Sequence, residues 1–192
     1  MSTQLAVKAE ADKSSPPILV VGLGNRNLGD EGVGPRIIDE LLQYRWASQV
    51  HLMDLGCDLL SLISYPHKPQ KLIILDAIRA GGTVGTIYLF DYDQLETTGA
   101  EMSSAHQIPA LSALGLLREI CPNLTDCEII IIGIEPKIMA LGADLSERIA
   151  ASVADVVKLV RDELSGHFSL KTPNNFRPRP MKNHRRIFYF TN

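Results

Sequence analysis

The sequence predicts an α/β fold: a three-layer sandwich with a mostly parallel five-stranded sheet and helices on both faces. Three observations predict it. Ile18 to Val21, Lys71 to Leu75 and Glu128 to Ile134 are short apolar runs, as expected of strands buried on both sides. The segments between them place apolar residues at helical spacing, as in Val33, Ile37 and Leu41. And the first run passes through a glycine turn, Gly22-Leu23-Gly24-Asn25, directly into such a segment, which is how a βαβ unit begins.

The remaining elements follow in order. Val50 to Leu55 reads as a second strand, ending near Asp54, Gly56 and Cys57, and Leu59 to Ser64 as a short helix. Tyr65-Pro66-His67-Lys68-Pro69 is a loop before the third strand, which closes on Asp76. Thr83 to Asp91 alternates as a fourth strand at an edge or antiparallel, because Gly81-Gly82 leaves no room for a crossover helix. After a polar loop from Asp93 to Ala105 comes a helix with Ile108, Leu111, Leu114, Leu117 and Cys121 on one face. Glu128 to Ile134 carries four isoleucines in a row, the mark of a central strand, and Glu135-Pro136 ends it. The last helix opens on Asp144 and Glu147, spaced like a capping box, and buries Leu145, Ile149, Val153, Val156, Val160 and Leu164.

With 192 residues, 45% hydrophobic and 21% charged, the chain is expected to form one domain over 17–166. A flexible arm over 1–16 precedes it and a flexible basic extension over 167–192 follows. Net charge is −3, which argues against nucleic-acid binding. The charge is uneven, since Ser165 to Asn192 holds six Lys or Arg and no acid, leaving −9 on the rest. No apolar run reaches the roughly 20 residues of a membrane span, and the polar first residues lack a signal-peptide core. Cys57, Cys121 and Cys127 form no Cys-x-x-Cys pair. They read as reduced thiols of a cytoplasmic protein without a structural zinc site.

The first turn carries the chemistry. A dinucleotide fingerprint would need a glycine where Asn27 stands, and the helix is entered through Asp30 and Glu31. Two carboxylates would repel a phosphate; they suit a cation or a water to be activated. The plainer alternative makes Asp30 a helix N-cap and Glu31 a first-turn acid. Gly32 and Gly34 point to close approach by a backbone or a ligand, since each weakens a helix by about 1 kcal/mol against alanine. In open parallel sheets, ligands bind beyond the carboxyl ends of the strands. That rule gathers Glu31, Asp54, Asp76 and Glu135, with His106 opening the helix after the fourth strand. A Glu, an Asp and a His on one rim would suit nickel, zinc or another first-row ion and leave positions open for water or substrate.

Read together, Gly22-Leu23-Gly24-Asn25, Asp30-Glu31-Gly32-Val33-Gly34, Leu75-Asp76-Ala77, Ser104-Ala105-His106-Gln107 and Gly133-Ile134-Glu135-Pro136 resemble the nickel–iron hydrogenase maturation endopeptidases. The similarity runs from Ile18 to Leu164. It implies a twisted sheet flanked by helices and an enzyme that trims a C-terminal peptide from the hydrogenase large-subunit precursor after nickel insertion. It places the metal-binding residues on Glu31, Asp76 and His106, with Glu31 and Asp76 also catalytic. Gly24, Asn25, Asp30, Asp54, Gln107 and Glu135 are expected to bind substrate or support the site. The nickel is presented by the substrate, and zinc or cadmium can take its place in vitro. The chain departs from the family's common Asp-Gly-Gly-Thr with Asp54-Leu55-Gly56-Cys57. Cys57 near the rim has no histidine obviously placed to make it a nucleophile. The alternatives are another metal-dependent peptidase or amidohydrolase on the same scaffold, a nucleotide- or methyl-donor-binding domain, and a nickel-sensing chaperone that does not cut.

Overall fold

A computed structural model describes residues 17–92, 107–165, 179–180 and 186–190. The strands are β1 (Ile18–Leu23), β2 (Val50–Gly56), β3 (Lys71–Ala77), β4 (Ile87–Asp91), β5 (Glu128–Ile134), β6 (Arg179–Pro180) and β7 (Arg186–Phe190). The helices are α1 (Val33–Leu41), α2 (Gln107–Ile120) and α3 (Glu147–Leu164), with 3-10 turns at Gly29–Gly32, Leu59–Ser64 and Pro122–Leu124. The sheet order is β2-β1-β3-β5-β4-β7-β6. β2, β1, β3 and β5 run parallel, and β4 is antiparallel to β5. These are the five expected strands; two short strands from the C-terminal segment extend the sheet past β4.

Alternation along the strands divides the core. Val20, Ile73, Leu75, Ile130 and Ile132 face α1 and α3, packing on Ile37, Leu41, Ile149 and Val156. Leu19, Val21, Leu72, Ile74, Ile129 and Ile131 face α2 and the Leu59–Ser64 turn, packing on Leu62, Leu114 and Leu117. Helices therefore cover both faces, which is why the strands read as unbroken apolar runs. On α2 the expected face holds at Leu114, Leu117 and Cys121. The side chains of Ile108 and Leu111 lie outside the described residues.

Some details differ from expectation. β4 starts at Ile87 rather than Thr83 because Gly81 and Gly85 both take positive φ, 80° and 82°, and hold the intervening chain in turns. α3 starts at Glu147 with Ser146 as its cap residue, not at Asp144. Ser146 makes no capping bond; its hydroxyl and amide go to Asp30 instead.

The glycine pair Gly22 and Gly34 sets the distance between α1 and the sheet. A Cβ on Gly34 would lie 2.3 Å from the Leu23 carbonyl oxygen and 2.4 Å from that of Leu75. Gly34 thus admits neighbouring backbone rather than a ligand, and Gly32 likewise faces the backbone of Arg26. The start of α1, with Glu31 just before it, is held against the carboxyl ends of β1 and β3.

Candidate active site

The strand register brings the rim together. Leu23 of β1 pairs with Gly56 of β2, and Gly22 pairs with Leu75 of β3. Asp76 and the 56–57 step therefore flank the end of β1 from either side. Gly24, with φ 122°, sits against Glu31: a Cβ there would lie 1.8 Å from the Glu31 carbonyl oxygen. The Gly24 amide donates to the Gly56 carbonyl at 2.8 Å. Asn25 closes the turn by accepting from the Asn27 amide at 2.9 Å.

The rim acids divide into two groups. Asp30 is fully buried. Its carboxylate accepts from the amides of Lys137 and Ile138, both at 2.8 Å, and from the amide of Ser146 at 2.6 Å and its hydroxyl at 3.0 Å. Asp30 is a clamp on the β5–α3 loop and caps no helix; the cap residues of the 3-10 turn and of α1 are Leu28 and Gly32. Asp54 accepts from Arg26 Nε at 2.8 Å and from the Gly56 amide at 2.9 Å. Glu135 is buried and accepts from the Ala80 amide at 2.8 Å, the Gly82 amide at 3.1 Å and the Tyr88 hydroxyl. It holds the loop that follows β3. These three acids are engaged in fixing loops.

Glu31 and Asp76 are different. Among the described residues the Glu31 carboxylate has no hydrogen-bond or ion-pair partner, and Asp76 accepts only from the adjacent Ala77 amide, at 2.7 Å. Low-dielectric surroundings push the Asp76 carboxyl up to about 7; the Ala77 amide opposes this and the Glu31 charge adds to it. The Cys57 thiol is raised too, first by partial burial, then by the charges of Glu31, Asp76 and Asp54. A raised thiol pKa is the reverse of nucleophile activation. Glu31, Asp76 and Cys57 thus share one electrostatic neighbourhood.

His106 lies outside the described residues, and so does the side chain of Gln107. α2 begins at Gln107 and ends beside the start of β5, to which Cys121–Cys127 connects it. Its 14 residues span about 21 Å, close to the length of a seven-residue strand. α2 packs Leu114 and Leu117 in the core layer that also holds Leu72 and Ile74. Asp76 shares its face of β3 with Leu72 and Ile74, the face that α2 covers.

Among the described residues no three His, Cys, Asp or Glu side chains are grouped to hold a metal. The two free carboxylates are hard oxygen donors that suit a divalent ion once a third ligand joins them. Sequence reasoning missed Arg26, whose guanidinium joins Asp54 to Asp39 of α1 at 2.6 Å. Its only signal was a basic residue in a turn facing two acid-bearing elements.

The model of the HycI hydrogenase maturation protease family matches residues 35–163. The chain belongs to the hydrogenase maturation proteases. This maturation protease is 30% identical over 165 residues to the hydrogenase expression/formation protein HupM of Azotobacter chroococcum, covering 83% of this chain and 77% of that one. Its fold matches the crystal structure of a [NiFe] hydrogenase maturation protease, HycI, from Thermococcus kodakarensis. The TM-score is 0.67 at 25% identity, over 80% of this chain and 95% of that one. The maturating endopeptidase HybD of E. coli also gives 0.67 at 25% identity, over 79% and 93%. Among the described residues no helix is long and apolar enough to cross a membrane.

Proposed function

We propose that this maturation endopeptidase, which cleaves the C-terminus of the large-subunit precursor, recognises it through nickel that the precursor carries. One observation supports the reading above others. Of the acids gathered at the rim, Glu31 and Asp76 alone are not spent on holding loops among the described residues. They are the carboxylates available to a metal, and His106, placed before α2, is the third ligand.

Docking the precursor's nickel among Glu31, Asp76 and His106 fixes the register of the scissile bond against the carboxylates. Asp76 then acts as general base. Its carboxylate takes a proton from water as the water oxygen attacks the scissile carbonyl. The same proton passes to the leaving amine as the C–N bond breaks. Asp30, Asp54, Glu135 and Arg26 keep the surrounding loops in place, and Gly24 leaves room for Glu31. The thiols of Cys57, Cys121 and Cys127 are all free, in keeping with action in the cytoplasm.

The test is incubation of a nickel-loaded large-subunit precursor with the wild type and with Glu31→Gln, Asp76→Asn and His106→Ala, read by mass spectrometry. The wild type is expected to release the C-terminal peptide. Each variant is expected to stay folded and to lose at least about 100-fold in rate, the scale of a lost acid–base group. Full activity in any two would remove the site.

A further inference from the structure

Between β5 and α3 the chain forms a lip beside Glu31, and its surface chemistry is at odds with its rigidity. Ile138 is 41% exposed and Leu141 81% exposed. A mobile loop would show such residues without consequence. This one is held on three sides. The Asp30 carboxylate grips the amides of Lys137, Ile138 and Ser146. The Asp30 amide donates to the Ile138 carbonyl at 2.8 Å, and the Gly142 amide donates to the Asn27 carbonyl at 2.8 Å. Gly29, at φ 62°, lets the strands of this clamp meet, since a Cβ there would lie 2.8 Å from the Ile138 carbonyl oxygen. Met139, between the two exposed residues, packs against the core on the α1 and α3 side.

We propose that Ile138 and Leu141 form a specificity lip that binds an apolar segment of the large-subunit precursor flanking its scissile bond. The inference rests on the peptidase reading of the adjacent site. The occupant follows from continuity: Asp30, which holds the lip by both backbone and side chain, is the immediate neighbour of Glu31. The lip leaves the same carboxyl end of the sheet as Asp76 and is bonded to the turn that carries Glu31. Apolar side chains fixed in advance bind without an ordering cost, which is the condition for a small contact to discriminate. The acidic body would repel an acidic segment and leaves an apolar one unopposed.

The experiment uses the full chain carrying Leu141→Glu, Ile138→Glu or both, with the nickel-loaded precursor as substrate. Ile63→Glu serves as comparison, in a separate exposed apolar patch on the Leu59–Ser64 turn. Expected for Leu141→Glu is a KM raised at least tenfold with kcat within twofold, unchanged affinity for free Ni²⁺, and recovery in Leu141→Met. Precursor binding by calorimetry should weaken by the same factor, and this holds whether or not cleavage occurs, so failure of the peptidase reading is told apart from failure of the lip. An unchanged KM in the double variant overturns the proposal. So does an equal effect of Ile63→Glu. A lowered Tm without a KM change would show that the lip packs against this chain itself. A change in oligomeric state would show a second copy there. Either result overturns it as well.

Discussion

Asp76 is near the midpoint of its titration at neutral pH, and the consequence for stability has a definite sign. Its folded value, about 7, lies above its ordinary value of 3.8. The folded protein therefore binds more protons than the unfolded one between these limits. The contribution is fully present below about pH 4 and is lost as pH rises through 7. Asp76→Asn removes the ionising group, so it should match the wild type at pH 4 within about 0.5 kcal/mol and exceed it at pH 8 by on the order of 4 kcal/mol. Urea unfolding at both pH values measures this, and a variant less stable at pH 8 would contradict it. Loss of the Asp30 charge should destabilise the fold instead. Four donors converge on its carboxylate, so the amide nitrogen that Asp30→Asn introduces would face at least one of them. A loss of about 2–4 kcal/mol is expected, with circular dichroism melting as the measurement. The sequence placed Asp30 at a helix entry and Asp76 at a strand end but could not tell their roles apart. What separates them is the presence of Ser146, 116 residues away, beside Asp30 and the lack of any such partner beside Asp76 among the described residues. The same holds for Asp54, whose partner Arg26 is 28 residues distant, and for Glu135, whose partner Tyr88 is 47 residues distant.

Elements were more legible than side chains because their signals are local. Four consecutive isoleucines place β5 between covered faces whatever the rest of the chain does, and it runs from Glu128 to Ile134 as expected. The ends of β4 and α3 were less legible. Gly85 turns the chain before β4, and Ser146 is drawn from capping to Asp30, so tertiary contacts set both boundaries. The junction of α1 with β1 and β3 is the element-scale feature on which Glu31 depends. Gly34→Ala would drive a Cβ to within 2.3 Å of Leu23 backbone and 2.4 Å of Leu75 backbone, neither of which can rotate away. We expect a loss of about 3 kcal/mol or more, together with weakened cleavage, because the helix and Glu31 must shift outward. Gly56→Ala is the matched comparison. Its φ is 54° but nothing lies within 4 Å of the new methyl, so it should lose only about 1 kcal/mol, the conformational term alone. Chemical denaturation of the pair separates collision from strain; equal losses would refute the close-packing account.

Across the whole molecule the two ends of the sheet titrate in opposite senses. At the amino end, His51 of β2 meets Tyr65 and His67 of the loop before β3. The Tyr65 hydroxyl lies 2.6 Å from His51 Nδ1, and the His51 and His67 rings are 5.3 Å apart. Burial first, then the His67 charge, hold His51 below its ordinary 6.5, while a backbone bond to Ser48 pulls the other way. The folded state thus binds fewer protons there, and this contribution, present above pH 6.5, is lost as pH falls through the depressed value. Asp76 at the carboxyl end loses its contribution as pH rises. Both contributions change between about pH 4 and 7 and in opposite directions, the His51 cluster weakening the fold as pH falls and Asp76 weakening it as pH rises. His51 aligns through Leu19 with Leu72, four residues short of Asp76, so about 13 Å along the strands and two strand spacings across separate them by roughly 16 Å, about twice the Debye length of about 8 Å at physiological salt. Groups so far apart, with no shared partner, should act independently. His51→Gln is expected to remove the loss on acidification below about pH 6.5, and Asp76→Asn to remove the loss between about pH 4 and 7 as pH rises, each without altering the other's contribution. The double variant should equal the sum of the singles within about 0.5 kcal/mol at every pH from about 4 to 8. A larger coupling, measured by urea titration across that range, would mean that the ends of the sheet communicate through the fold, and the site could not then be read from its rim alone.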